Sequence, residues 1–316
     1  MLKCSNPEEV MREMDELPMT ERRNRASMRL DEMPVGTVLR LMNDEDRGIP
    51  EAVGEALPQI AAAVELLVEA WREGGRLIYV GSGTSGRIAA LDAAECPPTF
   101  GVPPDRVLAL LAGGQSVATR AVEGAEDDRS AAVRDLEAVG LDRGDIVVGI
   151  AASGSTPYVV SAVRRASQAG CATIGISNNR GSELVAAARV GIELNTGPEI
   201  LTGSTRLKAG TSQKLVLNML STAAFTRLGK VYENVMVDLQ AANEKLERRS
   251  RRIVIETAGV TEDEARELLA AADGSVKVAV VMGKARVPAD RARELLAATS
   301  GNVRQALKTH PTRGPS

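Results

Sequence analysis

Five short aliphatic runs recur between residues 77 and 194: Leu77–Val80, Val107–Leu111, Ile146–Ile150, Thr173–Ile176 and Val190–Leu194. Each is too short for a stable helix, and each lacks the polar alternation of a half-exposed strand. Helical patterns separate most of them, at Ser85–Glu95, Glu126–Val139 and Pro157–Ala169. Short strands apolar on both faces, alternating with helices, specify a doubly wound α/β fold. Its centre is a parallel five-stranded sheet with helices on both faces.

The flanking segments read differently. Residues 1–50 are polar and read as a helical arm outside the core. Glu51–Glu73 places Val53, Leu57, Ile60, Val64 and Leu67 at helical spacing, with Pro58 marking a kink or the start of its main part. Residues 211–257 read as one or two long helices, interrupted or bent near Gly229-Lys230. Residues 258–310 look like a small helical bundle of the ubiquitin-associated type, with Thr261 and Glu264 spaced as a capping box. A tail of 311–316 follows. The domains are thus an arm (1–50), an α/β domain with long C-terminal helices (51–257), a bundle (258–310) and the tail.

Composition narrows the chemistry. Aromatic residues are 2% of the 316, so the core is aliphatic and base stacking on single-stranded nucleic acid has little support. The net charge of −3 gives no basic footprint for nucleic acid. The run Arg248-Arg249-Ser250-Arg251-Arg252 reads as a solvated helix face. No apolar stretch is long enough to span a bilayer, and no signal-peptide pattern is present. Cys4, Cys96 and Cys171 are widely separated, with no zinc or redox spacing, which suits a reduced cytoplasmic protein. The single histidine is His310, near the end of the chain. A Ser-His-Asp triad or a histidine metal site is therefore not expected, and carboxylates, lysines or hydroxyls must move any protons.

Two loops carry the candidate site. The first strand runs into Gly81-Ser82-Gly83-Thr84-Ser85-Gly86 and then a helix pattern that stops at Pro97-Pro98. Backbone N–H groups and a helix N-terminus there suit a phosphate. The glycine spacing also matches a dinucleotide fingerprint. The second strand, however, ends in Ala112-Gly113-Gly114-Gln115 with no acidic residue for a ribose, and no Walker lysine follows. The third strand runs into Ser153-Gly154-Ser155-Thr156 ahead of Pro157, where Ser153 and Thr156 are either helix caps or ligand contacts. Two such loops can converge on one ligand at a topological switch point. Glu95 falls at the expected C-terminal end of its helix, where the dipole disfavours the anion and suits a proton donor. Glu126 enters the next helix, where the dipole favours the anion and suits a base. Ordinary surface acids at helix ends would show the same spacing.

At these residues the chain resembles the N-acetylmuramic acid 6-phosphate etherases, members of the sugar isomerase (SIS) superfamily. The similarity runs from about Asn43 to the final bundle. It rests on GSGTSGR, LDAAECPPTFG, AVEGAED, GIAASGSTPYV, GPEILTGSTRLKAGTSQKLVLNMLST and YENVMVDLQAANEKL. The resemblance implies an SIS fold and an acid at Glu95, with a second active-site carboxylate at Glu126. Phosphate-binding hydroxyls would be Thr84, Ser85, Ser153 and Thr156, with Ser82, Gly83, Gly154 and Ser155 beside them. Ser155 stands where arginine is common in that family. Arg206 and Lys208 are candidates for substrate or interface contacts, with salt bridges at the sheet edge the alternative. The implied reaction cleaves the C3 lactyl ether, giving N-acetylglucosamine 6-phosphate and D-lactate in cell-wall sugar recycling. It implies a homodimer in the cytoplasm and a sugar phosphate as ligand, without metal, cofactor, nucleic acid or membrane. A phosphosugar isomerase and a non-catalytic phosphosugar-sensing regulator are the alternatives.

Overall fold

The computed structural model describes residues 17–114, 117, 122, 124–239 and 244–310. It divides into two compact units. One takes residues to Ala93 and from Arg106 to Leu220; the other takes Ala94–Asp105 and everything from Ser221.

In the first unit, helical turns at Met19–Glu21, Arg25–Ser27 and Leu30–Glu32 precede α1 (Val35–Asp46), α2 (Gly48–Glu55) and α3 (Leu57–Arg72). The break at Ala56 puts Pro58 in the first turn of α3, where its missing N–H costs nothing. Then come β1 (Leu77–Gly81), α4 (Gly83–Phe100), β2 (Val107–Leu111), α5 (Arg129–Ala138) and β3 (Ile146–Ile150). The run continues with α6 (Pro157–Gln168), β4 (Ala172–Ser177), α7 (Glu183–Ala187), β5 (Val190–Glu193) and α8 (Lys208–Arg227). The five strands form one parallel sheet in the order β2-β1-β3-β4-β5. Every residue of β1 and β3 is buried, as strands covered on both faces require. The order reverses between β1 and β3, so the loops leaving those two strands flank the switch point.

The expected stop of α4 at Pro97-Pro98 is corrected: the helix runs on to Phe100 with both prolines inside it. The missing N–H groups would have bonded to the carbonyls of Ala93 and Ala94, one turn back. Burial of Cys96 and Phe100 on one face outweighs that loss, and Phe100 lies 4.7 Å from the ring of Phe225. Gly101, at φ +60°, closes the end by donating to Pro97 O.

The second unit continues α8 into a small antiparallel ribbon, β6 (Val231–Tyr232) and β7 (Val235–Met236); of the expected one or two helices, two form, with the interruption beginning near Gly229-Lys230 and the ribbon unforeseen. Glu233 takes φ +54° at its turn. The helices α9 (Glu244–Ala258), α10 (Glu262–Ala271), α11 (Val276–Ala285), α12 (Ala289–Ala297) and α13 (Val303–Thr309) complete it. Thr261 and Glu264 form the expected capping box. Half-buried Asp238 accepts from Lys277 Nζ at 2.5 Å and Lys230 Nζ at 3.0 Å. No described helix is long and apolar enough to cross a membrane.

Candidate active site

Loop 1 is built by close approach. A Cβ on Gly81 would sit 2.7 Å from the Gly86 nitrogen, so only glycine lets the chain fold back against the end of β1. Gly83, at φ +52°, opens α4, and Gly86 N donates to Ser82 O at 3.1 Å as the helix begins. The N–H groups of Gly83, Thr84 and Ser85 precede that bond and have no acceptor among the described residues. Three such amides at a helix start suit an anion.

Loop 2 leaves β3 at the same level, since Gly81 pairs with Ile150. Gly154, at φ +68°, has no room for a side chain: a Cβ would lie 2.3 Å from Ser182 Cβ and 2.4 Å from Ser177 Oγ. The main chain of loop 2 is held from β4, with Asn178 N on Ala152 O at 3.0 Å and Asn179 Nδ2 on Ser153 O at 3.0 Å. Asn179 also exchanges hydrogen bonds with Thr20, which ties the N-terminal segment to this loop. Ser153 Oγ accepts from Ser155 N and lies 3.4 Å from Thr156 Oγ1. Thr156 precedes α6 but makes no side-chain cap bond, so its hydroxyl is not spent on the helix. A cavity of about 590 Å³ opens beside this loop, lined by Met19, Arg22, Ser153, Ser155, Asn179 and Arg180.

The two carboxylates stand in different places from those expected. Glu126 sits in a helical turn, Ala125–Asp127, ahead of α5, and Asp128 caps that helix by accepting from Ala131 N at 2.9 Å. The helix N-terminus therefore belongs to Asp128. Glu126 instead accepts from Ser82 Oγ at 2.9 Å, which brings it to loop 1. Glu95 is exposed on α4, with five more helical residues after it rather than a helix end. It lies twelve residues beyond Gly83, about 18 Å along the helix axis.

The remaining candidates also separate. Thr84 makes no side-chain hydrogen bond among the described residues, whereas buried Ser85 donates to Gln213 Oε1 at 2.8 Å. Arg206 is exposed. Lys208 is turned inward: it is 3% exposed and its Nζ meets Glu45 of α1 at 2.5 Å, the salt-bridge alternative. Glu199, which the sequence did not single out, caps α8 through Lys208 N at 3.1 Å and Ala209 N at 2.9 Å. Burial raises the Glu199 carboxyl above its ordinary range despite those two bonds.

A parallel sheet of this order, with glycine-hydroxyl loops at its switch point, fits the SIS class of fold. Family models agree: residues 59–167 match the glucokinase regulatory protein N-terminal SIS domain, and residues 129–223 match the SIS domain. The N-acetylmuramic acid 6-phosphate etherase of Geobacillus thermodenitrificans is 56% identical over 263 residues, covering 83% of this chain and 89% of that protein. That of Mycolicibacterium smegmatis is 56% identical over 263 residues, with 83% and 88% covered. That of Yersinia pestis is 53% identical over 264 residues, with 84% and 90% covered. The chain belongs to the N-acetylmuramic acid 6-phosphate etherase family.

Proposed function

We propose that the protein is a carbon–oxygen lyase that cleaves the C3 lactyl ether of N-acetylmuramic acid 6-phosphate. The products are N-acetylglucosamine 6-phosphate and D-lactate, released in the recycling of cell-wall sugars in the cytoplasm. The observation that carries the site assignment is the Ser82–Glu126 hydrogen bond, which holds a carboxylate at the edge of the loop suited to phosphate.

The chemistry follows from the sugar's open-chain form, where the C1 aldehyde acidifies the proton on C2. Glu126 removes that proton. Electron density moves into the C2–C3 bond as lactate leaves C3, and an acid protonates the departing oxygen. Water then adds across the double bond. Thr84, Thr156, Ser153 and the amides of loop 1 bind the phosphate, and Ser155 faces the neighbouring cavity. All proton transfers in this scheme use side chains of the protein, so it calls for no cofactor.

Glu95 is the acid in this reading, and helix geometry supports its delivery from a second subunit. Six bonds join phosphorus to the ether oxygen, a span of at most about 8 Å. Glu95 lies about 18 Å down the helix whose first residues cradle the phosphate. A glutamate side chain spans about 5 Å, too little to close that gap. In a homodimer, Glu95 of the partner subunit can enter from outside the loop. The apolar stripe Val35, Val38, Leu39 and Met42 on α1 supports association: no residue of that helix is buried, and Leu39 is 60% exposed.

The direct test is incubation with N-acetylmuramic acid 6-phosphate and an assay for D-lactate. Turnover of fructose 6-phosphate without lactate release would favour an isomerase. Binding without turnover would favour a regulator.

A further inference from the structure

A buried chain of amides runs beneath loop 1 and fixes the direction of its hydroxyl. Asn178 Nδ2 lies 3.3 Å from Leu194 O, 3.3 Å from Thr196 Oγ1 and 2.9 Å from Ser212 Oγ. A carbonyl can only accept, so the Asn178 amide has its nitrogen toward Leu194 and its oxygen away. Ser212 agrees with this direction, since its own proton goes to Ala209 O at 2.7 Å. Asn178 Oδ1 then accepts from Gln213 Nε2 at 3.0 Å, which leaves Gln213 Oε1 pointing at Ser85 Oγ, 2.8 Å away. An amide oxygen has no proton to give, so the proton in that last bond is Ser85's. Gln213 and Ser212 are fully buried, with Asn178 at 1% and Ser85 at 7% exposure.

We propose that Gln213 is a positioning residue that takes the only proton of Ser85, making Ser85 a tether for loop 1 and not a phosphate donor. This deepens the phosphosugar reading of that loop and rests on it. Breaking the tether would leave Gln213 Oε1 buried without a donor and let the start of α4 drift, weakening the amide cradle without touching the reacting carbons. On loop 1, Thr84 and the three amides then contact the anion, and Ser85 does not take the role that the family resemblance implied for it.

The experiment compares Ser85→Ala, Gln213→Met, the double variant and Thr84→Ala. Calorimetric binding of N-acetylglucosamine 6-phosphate gives Kd, and turnover of N-acetylmuramic acid 6-phosphate gives KM and kcat. Ser85→Ala should raise Kd and KM by roughly three- to tenfold and Gln213→Met by at least as much, since it also frees Asn178 Oδ1, with kcat held within about twofold. The double variant should be no worse than Gln213→Met alone, because the bond that Ser85→Ala removes is already gone there. Thr84→Ala should bind at least about threefold more weakly than Ser85→Ala, since it loses a contact to a charged group. A Ser85→Ala loss equal to or greater than that of Thr84→Ala would overturn the proposal, and so would an additive double variant. The Ser85–Thr84 comparison stands even if Gln213→Met fails to fold. Absence of lactate release by the unaltered protein would reject the etherase reading, while the binding data would still decide Ser85.

Discussion

The two ends of the same parallel sheet are finished in opposite ways. At the start of β1 and β3 an ion pair and the hydrogen bonds around it tie the strands together. The Arg76 guanidinium meets both carboxylate oxygens of Asp145, at 3.1 and 2.7 Å, and also donates to Val139 O and Gly140 O. Asp145 in turn accepts from the backbone of Arg76 and Asp142. At the far end of those strands the loops carry amides without acceptors among the described residues and hydroxyls outside caps. One end closes the fold; the other leaves donors for a ligand. Perturbing the closed end should therefore move stability, and perturbing the open end should move substrate handling.

Glu95→Gln should break activity most, lowering kcat by about 100- to 10,000-fold while Kd for the product sugar phosphate stays nearly constant. Steady-state assays beside calorimetry check this. Subunit mixing sharpens the same point. Glu95→Gln and Glu126→Gln should each be nearly inactive, but a statistical mixture of the two should regain about a quarter of wild-type turnover, because half of the dimers carry one intact composite site. No recovery on mixing would place both carboxylates in one chain's site.

At the closed end, Arg76→Met should cost about 3 kcal/mol by urea denaturation, because it leaves the buried Asp145 carboxylate without its partner. KM for the folded variant should not change. At the open end, Thr156→Ala should raise KM about tenfold with little loss of stability. A stability loss matching that of Arg76→Met would contradict the contrast.

The smallest effect concerns acid. Burial alone would raise the Asp145 carboxyl, but the Arg76 guanidinium and the amides of Asp142 and Arg76 hold it below its ordinary value. A depressed folded-state value contributes stability that is fully present above the unfolded value, about 4, and is lost as pH falls through the folded one. Urea midpoints of Asp145→Asn should accordingly vary less with pH below about 4 than those of the native protein.

Much of this architecture was legible in the sequence because buried parallel strands leave a distinct trace. Val107–Leu111 and Ile146–Ile150 were read to the residue, and the loops after β1 and β3 followed from their glycines and hydroxyls. Features decided by long-range contact were not legible. Pro97 and Pro98 locally argue for a helix stop, and only the burial of Cys96 and Phe100 reverses that. Asp128 took the cap expected near Glu126 because its short side chain fits the geometry of that position. Gln213 and Asn178 carry no periodic signal, since a buried amide acquires its meaning from partners 16 to 128 residues away. The ribbon at Val231–Met236 is only two residues per strand, too short for alternation to register.

The measurement that bears most directly on the open end of the sheet is the reaction run in deuterium oxide. With N-acetylmuramic acid 6-phosphate as substrate, the protein should release D-lactate and yield N-acetylglucosamine 6-phosphate carrying deuterium at C2. Lactate released with no deuterium at C2 would contradict elimination through the Glu126 carboxylate.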